Sequence, residues 1–304
     1  MSRHLVVVVG PTAVGKTAVG VALAQHLQTS VLSADSRQFY KEMSIGTAKP
    51  TRTEQQGVPH FFIDSHAVGN PLSAGEYERE ALSILDSLFT RHDAICLVGG
   101  SGLFVDAVCR GLDDLPQPAS GVREKLNLWF NTDGLQPLLQ RLKEVDPEYV
   151  NQVDSSNPQR IIRALEVFES TGQPFSHFRK QQQSPRTFDV IKIGLELPRD
   201  VLYERINQRV LNMMDDGLLE EVQGLIAFRH LPVCQTVGYT ELFAHLEGVY
   251  SLDEAIARIQ QNSRRYAKRQ LTWFRKDHTT QWFAPDDLDG IIKYLSVKGV
   301  KILS

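Results

Sequence analysis

Cysteine is scarce. The three present, Cys96, Cys109 and Cys234, are odd in number, far apart and without C-x-x-C spacing, so neither a disulfide framework nor a zinc knuckle is indicated. Reduced thiols in a cytosol are the expected state. Long apolar runs are also lacking: none approaches the ~20 residues of a membrane span. The opening MSRHLVVVVGPT has no small-residue cleavage site and reads as a buried strand, not a leader. Charge of one sign is not in excess, with 33 Lys and Arg against 36 Asp and Glu in 304 residues. A uniformly basic or acidic protein is therefore excluded, and any polyanion site must be local. No repeat of fixed period occurs, and only QQQSP (181–185) is mildly low in complexity. At 42% hydrophobic and 23% charged, the composition fits one large globular domain or two smaller ones.

The first positive signal is GPTAVGKT, comprising Gly10, Pro11, Thr12, Ala13, Val14, Gly15, Lys16 and Thr17. It matches G-x-x-x-x-G-K-[ST], a loop whose amides wrap a phosphate while Lys and Thr hold phosphate oxygens and a magnesium ion. The apolar run LVVVVG precedes it and the helical pattern Lys16 to Gln28 follows. Further strands are expected at Val31 to Ala34, at HFFID and at AICLVGG, with an amphipathic helix over AGEYEREALSILDSLFTRH. Strands alternating with helices predict an α/β fold with a mostly parallel sheet, ligands lying beyond the carboxyl ends of the strands. Asp35 and Gly99 to Ser101 then fall near the phosphate loop.

One absence qualifies the loop. ATP-hydrolysing and kinase P-loop proteins usually carry an apolar strand that ends in a metal-holding acid, whereas AICLVGG ends in glycines. The motif specifies a phosphate without specifying ATP. After GGSGLFVDAVCRGL the texture changes: DDLPQPASG reads as a linker, and a helical stretch broken at Pro137, Pro147, Pro158 and Pro174 follows. The run FDVIKIGLEL then resumes the sheet. The expected organisation is a P-loop-type core of residues 1–112 and 187–304 with a helical insertion at 113–186.

Several residues carry two readings. Asp35 suits a general base at a strand end, or a turn cap. Ser101 in GGSG suits a reacting centre or a helix cap, and the glycines suit close approach to a ligand or a tight turn. Arg205 and Arg209, four apart on one helical face, are either solvated surface or a phosphate clamp. From Arg258 to Lys276 seven basic residues stand with no acid among them, interleaved with Tyr266 and Trp273. Ile256, Ile259, Ala267, Leu271 and Phe274 form an apolar stripe there, so the charges are either an exposed face or an RNA contact.

Taken together, GPTAVGKT, ADSRQFY, IGTAKP, PHFFIDS followed by SAGEY, GGSGLF, NPQRIIRALEVFESTGQPFS, QTVGYTE and RRYAKRQLTWFR resemble, in that order, the bacterial tRNA dimethylallyltransferases, or tRNA isopentenyltransferases. The resemblance runs from the first strand to about Arg275. It implies a P-loop NTPase-like core and transfer of a dimethylallyl group from its diphosphate to the exocyclic amine of the adenosine 3′ of the anticodon. The loop then cradles a diphosphate, with Mg2+ held partly by Thr17 and with Arg205 and Arg209 as a clamp. By the same similarity Asp35 accepts the amine proton, assisted by Ser101. It also implies tRNA contact by Asp35, Ser36, Arg37, Gln38 and Ser101 in a channel, by Arg123, Gln159, Arg160, Ile161, Ile162 and Arg163 on the insertion, by Cys234, Gln235, Thr236, Val237, Gly238 and Tyr239, and by Arg264, Arg265, Lys268 and Arg269. A cytoplasmic monomer without membrane contact is expected. Ser101 departs from the family's usual Thr, and Ser263 likewise replaces a common Thr.

Overall fold

The computed structural model describes residues 3–113, 115–179 and 185–303, so most of the QQQSP run lies outside the described residues. The elements in chain order are β1 (His4–Val9), α1 (Lys16–His26), β2 (Val31–Ser33), α2 (Arg52–Gln55), β3 (His60–Phe61), α3 (Ala74–Leu88), β4 (Ala94–Gly99) and α4 (Gly102–Arg110). Then come α5 (Val122–Asp133), α6 (Leu135–Val145), α7 (Pro147–Val150), α8 (Pro158–Thr171) and α9 (Phe175–Phe178). The chain closes with β5 (Asp189–Leu195), α10 (Arg199–Asp215), α11 (Leu218–Gly224), α12 (Tyr239–Leu246), α13 (Leu252–Phe274), β6 (Gln281–Phe283) and α14 (Leu288–Val297). Two compact units result: Met1–Arg110 with Pro185–Ser304, and Gly111–Ser184.

The first unit is built on a parallel sheet in the order β3-β2-β4-β1-β5-β6. β1 sits between β4 and β5, with Val9 opposite Gly99 on one side and Gly194 on the other. Its valines explain the position: a strand covered on both faces gains from branched apolar residues on each. Leu5, Val7 and Val9 enter one apolar cluster with Tyr77, Ala81 and Leu85 of α3. Val6 and Val8 enter the opposite one with Val19, Val21 and Leu23 of α1. Each such side chain gains about 1.5–3 kcal/mol over its exposed state. The S-A-G-E start of α3 forms a capping box, Ser73 Oγ accepting from Glu76 N–H and Glu76 from Ser73 N–H.

Because all strands run one way, the segments that follow β1, β2 and β4 emerge at the same edge of the sheet. These are the phosphate loop, the Asp35 turn and the Ser101 turn. β6 and α14 lie in a C-terminal stretch where the sequence pattern marks no element. β6 adds to β5 at the edge, and Ile291, Leu295 and Val300 of the tail are buried, with Leu303 N–H donating to His26 O.

The second unit packs Leu126, Leu138, Leu142, Ile161, Ile162, Leu165 and Phe175 into its own core. Pro147 and Pro158 open α7 and α8, and Pro174 caps α9. Pro137 does not break its helix as expected. It stands in the first turn of α6, where an N–H has no carbonyl four residues back and its loss costs little. Buried Asp146 takes the Tyr149 amide on one carboxylate oxygen and the Ser176 amide on the other, at 3.0 and 2.8 Å.

Candidate active site

The phosphate loop leaves β1 through backbone that few side chains tolerate. Gly10 has φ +153°, and a Cβ there would stand 2.7 Å from the Leu195 carbonyl; Gly15 has φ +110° where α1 begins. Lys16 follows, its Nζ donating to the carbonyls of Gly10 and Pro11 at 3.1 and 2.7 Å. An ammonium has three donors, so one remains for an anion. Burial lowers the Lys16 pKa to about 8, Asp35 raising it and Arg209 lowering it further. A desolvated ammonium with carbonyl partners is a site short of negative charge. The Thr12 amide is not available as expected: it donates to Gln270 Oε1 at 2.8 Å.

Asp35 follows β2, where the turn-cap reading is seen directly and the side chain also lies at the cavities. Its Oδ1 accepts the Arg37 amide at 3.1 Å, a turn cap, while the same side chain lines the cavities described below. Ser101 Oγ accepts the Ser36 amide at 2.9 Å and meets Ser36 Oγ at 3.1 Å, so its hydroxyl ties the β4 turn to the Asp35 turn. The Tyr266 phenol also bonds Ser101; burial foremost, then Asp35, pushes its pKa up to about 12.

The glycines of GGSG answer to protein, not ligand. A Cβ on Gly99 would lie 2.3 Å from the Ala34 backbone, one on Gly100 2.3 Å from Gln270 Nε2, and one on Gly102 2.3 Å from Trp273 Nε1. No acidic residue fits the end of β4, and α13 needs that smooth surface. Gln270 on α13 donates to Gly100 O at 2.9 Å while holding Thr12, and Trp273 donates to Asp106 of α4 at 3.0 Å. Gln270 was missed in the sequence. Its signal is a buried polar residue within the apolar stripe, next to Ala267 and Leu271.

Two cavities adjoin here, sharing Thr12, Asp35, Thr47, Arg209 and Tyr266 in their walls. The larger, about 530 Å³, is lined by Lys16, Thr17, Arg205, Gln270 and the loop. The smaller, about 180 Å³, is lined by the apolar Ile206, Val210, Met213, Leu218, Val237 and Ile259 and by the polar Ser36, Arg37 and Ser263. Arg205 and Arg209 therefore do face the phosphate loop. They are unequal: Arg205 is exposed, whereas burial lowers the Arg209 pKa and Asp35 raises it. Among the described residues no group of three or more His, Cys, Asp or Glu could hold a metal.

The remaining expected residues divide by burial. Gln38 lines the larger cavity, but its amide already bonds Ser33, Thr47 and Ala48. Thr236, Val237 and Gly238 line the smaller cavity and Gln235 is exposed. Cys234 and Tyr239 are fully buried, which leaves their side chains no surface to offer an RNA; Tyr239 instead donates to Glu221. Ile161 and Ile162 are likewise core residues of the second unit. On that helix Gln159 and Arg160 are exposed, while Arg123 and Arg163 both hold buried Glu166, Arg123 also reaching Gln159. On α13, Arg265, Lys268 and Arg269 are exposed and Arg264 donates to Asn207. Arg258 and Arg275 pair with Glu254 and Glu196, which reduces the free charge of that helix.

A parallel sheet with a phosphate loop at its edge, and a carboxylate and an arginine shared between a polar and a partly apolar cavity, defines a P-loop-type α/β protein with a candidate phosphate site. The comparisons give the family. Residues 38–277 match the family described as IPP transferase. The chain is 47% identical over 298 residues to the tRNA dimethylallyltransferase of Cytophaga hutchinsonii, covering 98% of each, and 44% identical over 296 residues to tRNA dimethylallyltransferase 1 of Bacteroides thetaiotaomicron, covering 97% of this chain and 96% of that one. A solved full-length tRNA isopentenylpyrophosphate transferase from Bacillus halodurans is 37% identical over 98% of this chain and 97% of its own, with a TM-score of 0.73. A eukaryotic dimethylallyltransferase solved acting on tRNA shares the fold, TM-score 0.80, at 22% identity, covering 100% of this chain and 81% of its own. The chain belongs to the IPP transferase family.

Proposed function

We propose that this enzyme transfers the dimethylallyl group of dimethylallyl diphosphate to the exocyclic amine of the adenosine immediately 3′ of the tRNA anticodon, releasing diphosphate. The observation that carries the reading is Asp35, whose carboxylate stands in the shared wall of the phosphate cavity and the partly apolar one. The diphosphate occupies the larger cavity against Lys16 and Arg209, and the isoprenyl group enters the smaller one against Ile206, Val210 and Met213. The acceptor amine arrives at Asp35.

The amine nitrogen attacks the first carbon of the isoprenyl group as that carbon's bond to the diphosphate oxygen breaks. The electron pair leaves with the diphosphate, where Lys16 and Arg209 neutralise it, and the amine proton passes to Asp35. Apolar walls keep water from the allylic carbon. Thr17 lines the phosphate cavity and would offer Mg2+ a hard oxygen donor beside the diphosphate. Bound there, Mg2+ would supply further charge neutralisation of the leaving group.

On the RNA side, the exposed Arg265, Lys268 and Arg269 of α13 meet phosphates, and Ser36 and Arg37 meet the base, which an anticodon loop presents already unpaired. The enzyme works as a cytoplasmic monomer. Among the described residues no helix is long and apolar enough to cross a membrane.

The test is transfer of labelled dimethylallyl from its diphosphate to an anticodon stem-loop, wild type against Asp35→Ala. Wild type should transfer label, and the variant should retain RNA and diphosphate binding while losing roughly 10²–10⁴-fold in kcat. Wild-type ATP hydrolysis without prenyl transfer would overturn the assignment.

A further inference from the structure

The loop at residues 44–48 forms part of the wall of both cavities, Gly46 and Thr47 facing the smaller one and Thr47 and Ala48 the larger. Its sequence, SIGTA, has few apolar side chains to anchor it. The anchor comes from α11. The Glu221 carboxylate accepts three successive amides, Ser44 and Ile45 at 2.8 Å on Oε2 and Gly46 at 3.0 Å on Oε1. It also accepts the Tyr239 hydroxyl at 2.6 Å. Three consecutive N–H groups converging on one anion make a nest, and bonds to an ionised acceptor are about twice as strong as neutral ones.

Tyr239 does two things at once. Its ring is fully buried, and a Cβ on Gly46 would sit 2.6–2.7 Å from its ring and hydroxyl, so the loop backbone lies flat against it. The far end of the loop is held separately: Gln38 Nε2 donates to the carbonyls of Thr47 and Ala48 at 3.3 and 3.1 Å. Lys49 Nζ is fixed by Tyr40 O at 2.7 Å and by Asp64. Ser44 and Ile45 are also tied within the turn through their carbonyls and by Lys49 Nζ to Ser44 Oγ at 3.2 Å, so loss of Glu221 removes the anchor on the three amides beside the smaller cavity and loosens that wall, while the end beside the phosphate cavity stays attached through Gln38.

We propose that Glu221, braced by Tyr239, is a positioning residue for the transfer reaction: it fixes the Gly46–Thr47 wall of the isoprenyl cavity and so aligns the allylic carbon with Asp35. This rests on the assignment of dimethylallyl diphosphate made above. Neither residue reaches a cavity with a reacting group; they act through backbone.

Glu221→Gln offers one acceptor oxygen and an NH2 to four donors, so it breaks the nest with almost no change in volume. A wall shifted by about 1 Å costs on the order of 10²-fold in turnover, so kcat/KM for dimethylallyl diphosphate should fall by roughly that factor in Glu221→Gln and by about tenfold in Tyr239→Phe, which loses one of the four bonds. Glu221→Asp, which keeps the carboxylate, should recover part of the loss. The decisive readout is binding of inorganic diphosphate against dimethylallyl diphosphate by titration calorimetry. Glu221→Gln should bind the inorganic ion within about threefold of wild type and the ester at least tenfold more weakly, at constant protein concentration and with thermal unfolding recorded beside it. Equal losses for both ligands, or no loss for either, overturn the proposal. A wild type that shows no preference for the ester over the inorganic ion overturns the substrate assignment as well.

Discussion

Gln270 ties two turns that are far apart in the chain, and replacing it isolates what that tie contributes. Its Oε1 takes the Thr12 amide at 2.8 Å and its Nε2 gives a bond to the buried Gly100 carbonyl at 2.9 Å. Gln270→Leu preserves the volume and leaves both groups unpaired. A buried orphan costs about 1–3 kcal/mol. The Gly100 carbonyl meets most of that cost, whereas Thr12 lines a cavity that water enters and costs less, giving about 2–3 kcal/mol together. At roughly 2–4 °C per kcal/mol for a unit of this size, the melting temperature should drop about 5–10 °C. Gln270→Glu separates stability from binding. It keeps an acceptor for Thr12 but turns a carboxylate oxygen toward Gly100 O and adds an anion beside Lys16, so inorganic diphosphate should bind at least about tenfold more weakly, about 1.4 kcal/mol. Urea unfolding and calorimetric titration of both variants measure the two effects. A Gln270→Leu protein within roughly 0.5 kcal/mol of wild type, the scatter of surface substitutions, together with unaltered diphosphate binding in Gln270→Glu, would refute the bracing role of α13.

Three further outcomes follow from the same geometry. Lys16, at about pKa 8 in the free protein, is charged below that pH, so binding of inorganic diphosphate without divalent cations should be level below pH 8 and weaken by up to about tenfold per unit above it, a slope that Lys16→Met removes when titrated across pH 6.5–9.5. The sign is that of an anion favouring the protonated ammonium, and protons should accordingly be taken up on binding near and above pH 8. Gly99→Ala forces a methyl against the Ala34 backbone at 2.3 Å and should cost about 1–3 kcal/mol or more in urea unfolding, with Asp35 displaced and transfer reduced in parallel. Arg209→Ala should reduce kcat/KM for the diphosphate substrate by about 10²-fold and Arg205→Ala by less than about tenfold in steady-state assays, because Arg209 is part-buried in the wall shared with Asp35 and Arg205 is exposed.

What the sequence discloses and what it withholds divide along sequence distance. The valine run of β1, the Gly–Lys–Thr signature and the strand-ending Asp35 are local patterns, and parallel topology alone carries the three turns to one edge of the sheet. The core strands of the fold were legible for that reason. β6 was not: QWF is three residues long, exposed at its start, and pairs only at the edge with β5. Pro137 misled because a proline stops a helix only where the lost N–H had a partner. In the site, the P-loop lysine and the arginine pair were visible as types at spacings, whereas Gln270 and Glu221 were not. Gln270 holds backbone groups 258 and 170 residues away, and Glu221 holds backbone amides about 175 residues away, and backbone groups carry no residue identity to recognise. The glycines of GGSG were visible, but not the Ala34 backbone that crowds Gly99 or the α13 side chains Gln270 and Trp273 that crowd Gly100 and Gly102.

The position of Gln270 also explains how one helix serves two ends. Along α13, Tyr266, Gln270 and Trp273 fall at i, i+4 and i+7, one face of the helix, and each touches a turn of the site or its supporting helix: Ser101, Thr12 with Gly100, and Asp106. Arg265, Lys268 and Arg269 lie on the exposed side, with Arg269 over the Tyr266 ring at 5.7 Å. A helix of 23 residues does not bend locally to let one face move without the other. Substitution on the cationic face that leaves the helix intact should therefore weaken RNA binding alone, whereas substitution on the inner face should disturb the phosphate loop first. The contrast between Arg269→Gln, read by RNA affinity, and Gln270→Leu, read by stability, places neighbouring residues of the chain on opposite sides of that division. If both variants lost RNA affinity and stability in the same proportion, the two faces would not act separately, and α13 would be a folding element with incidental charge.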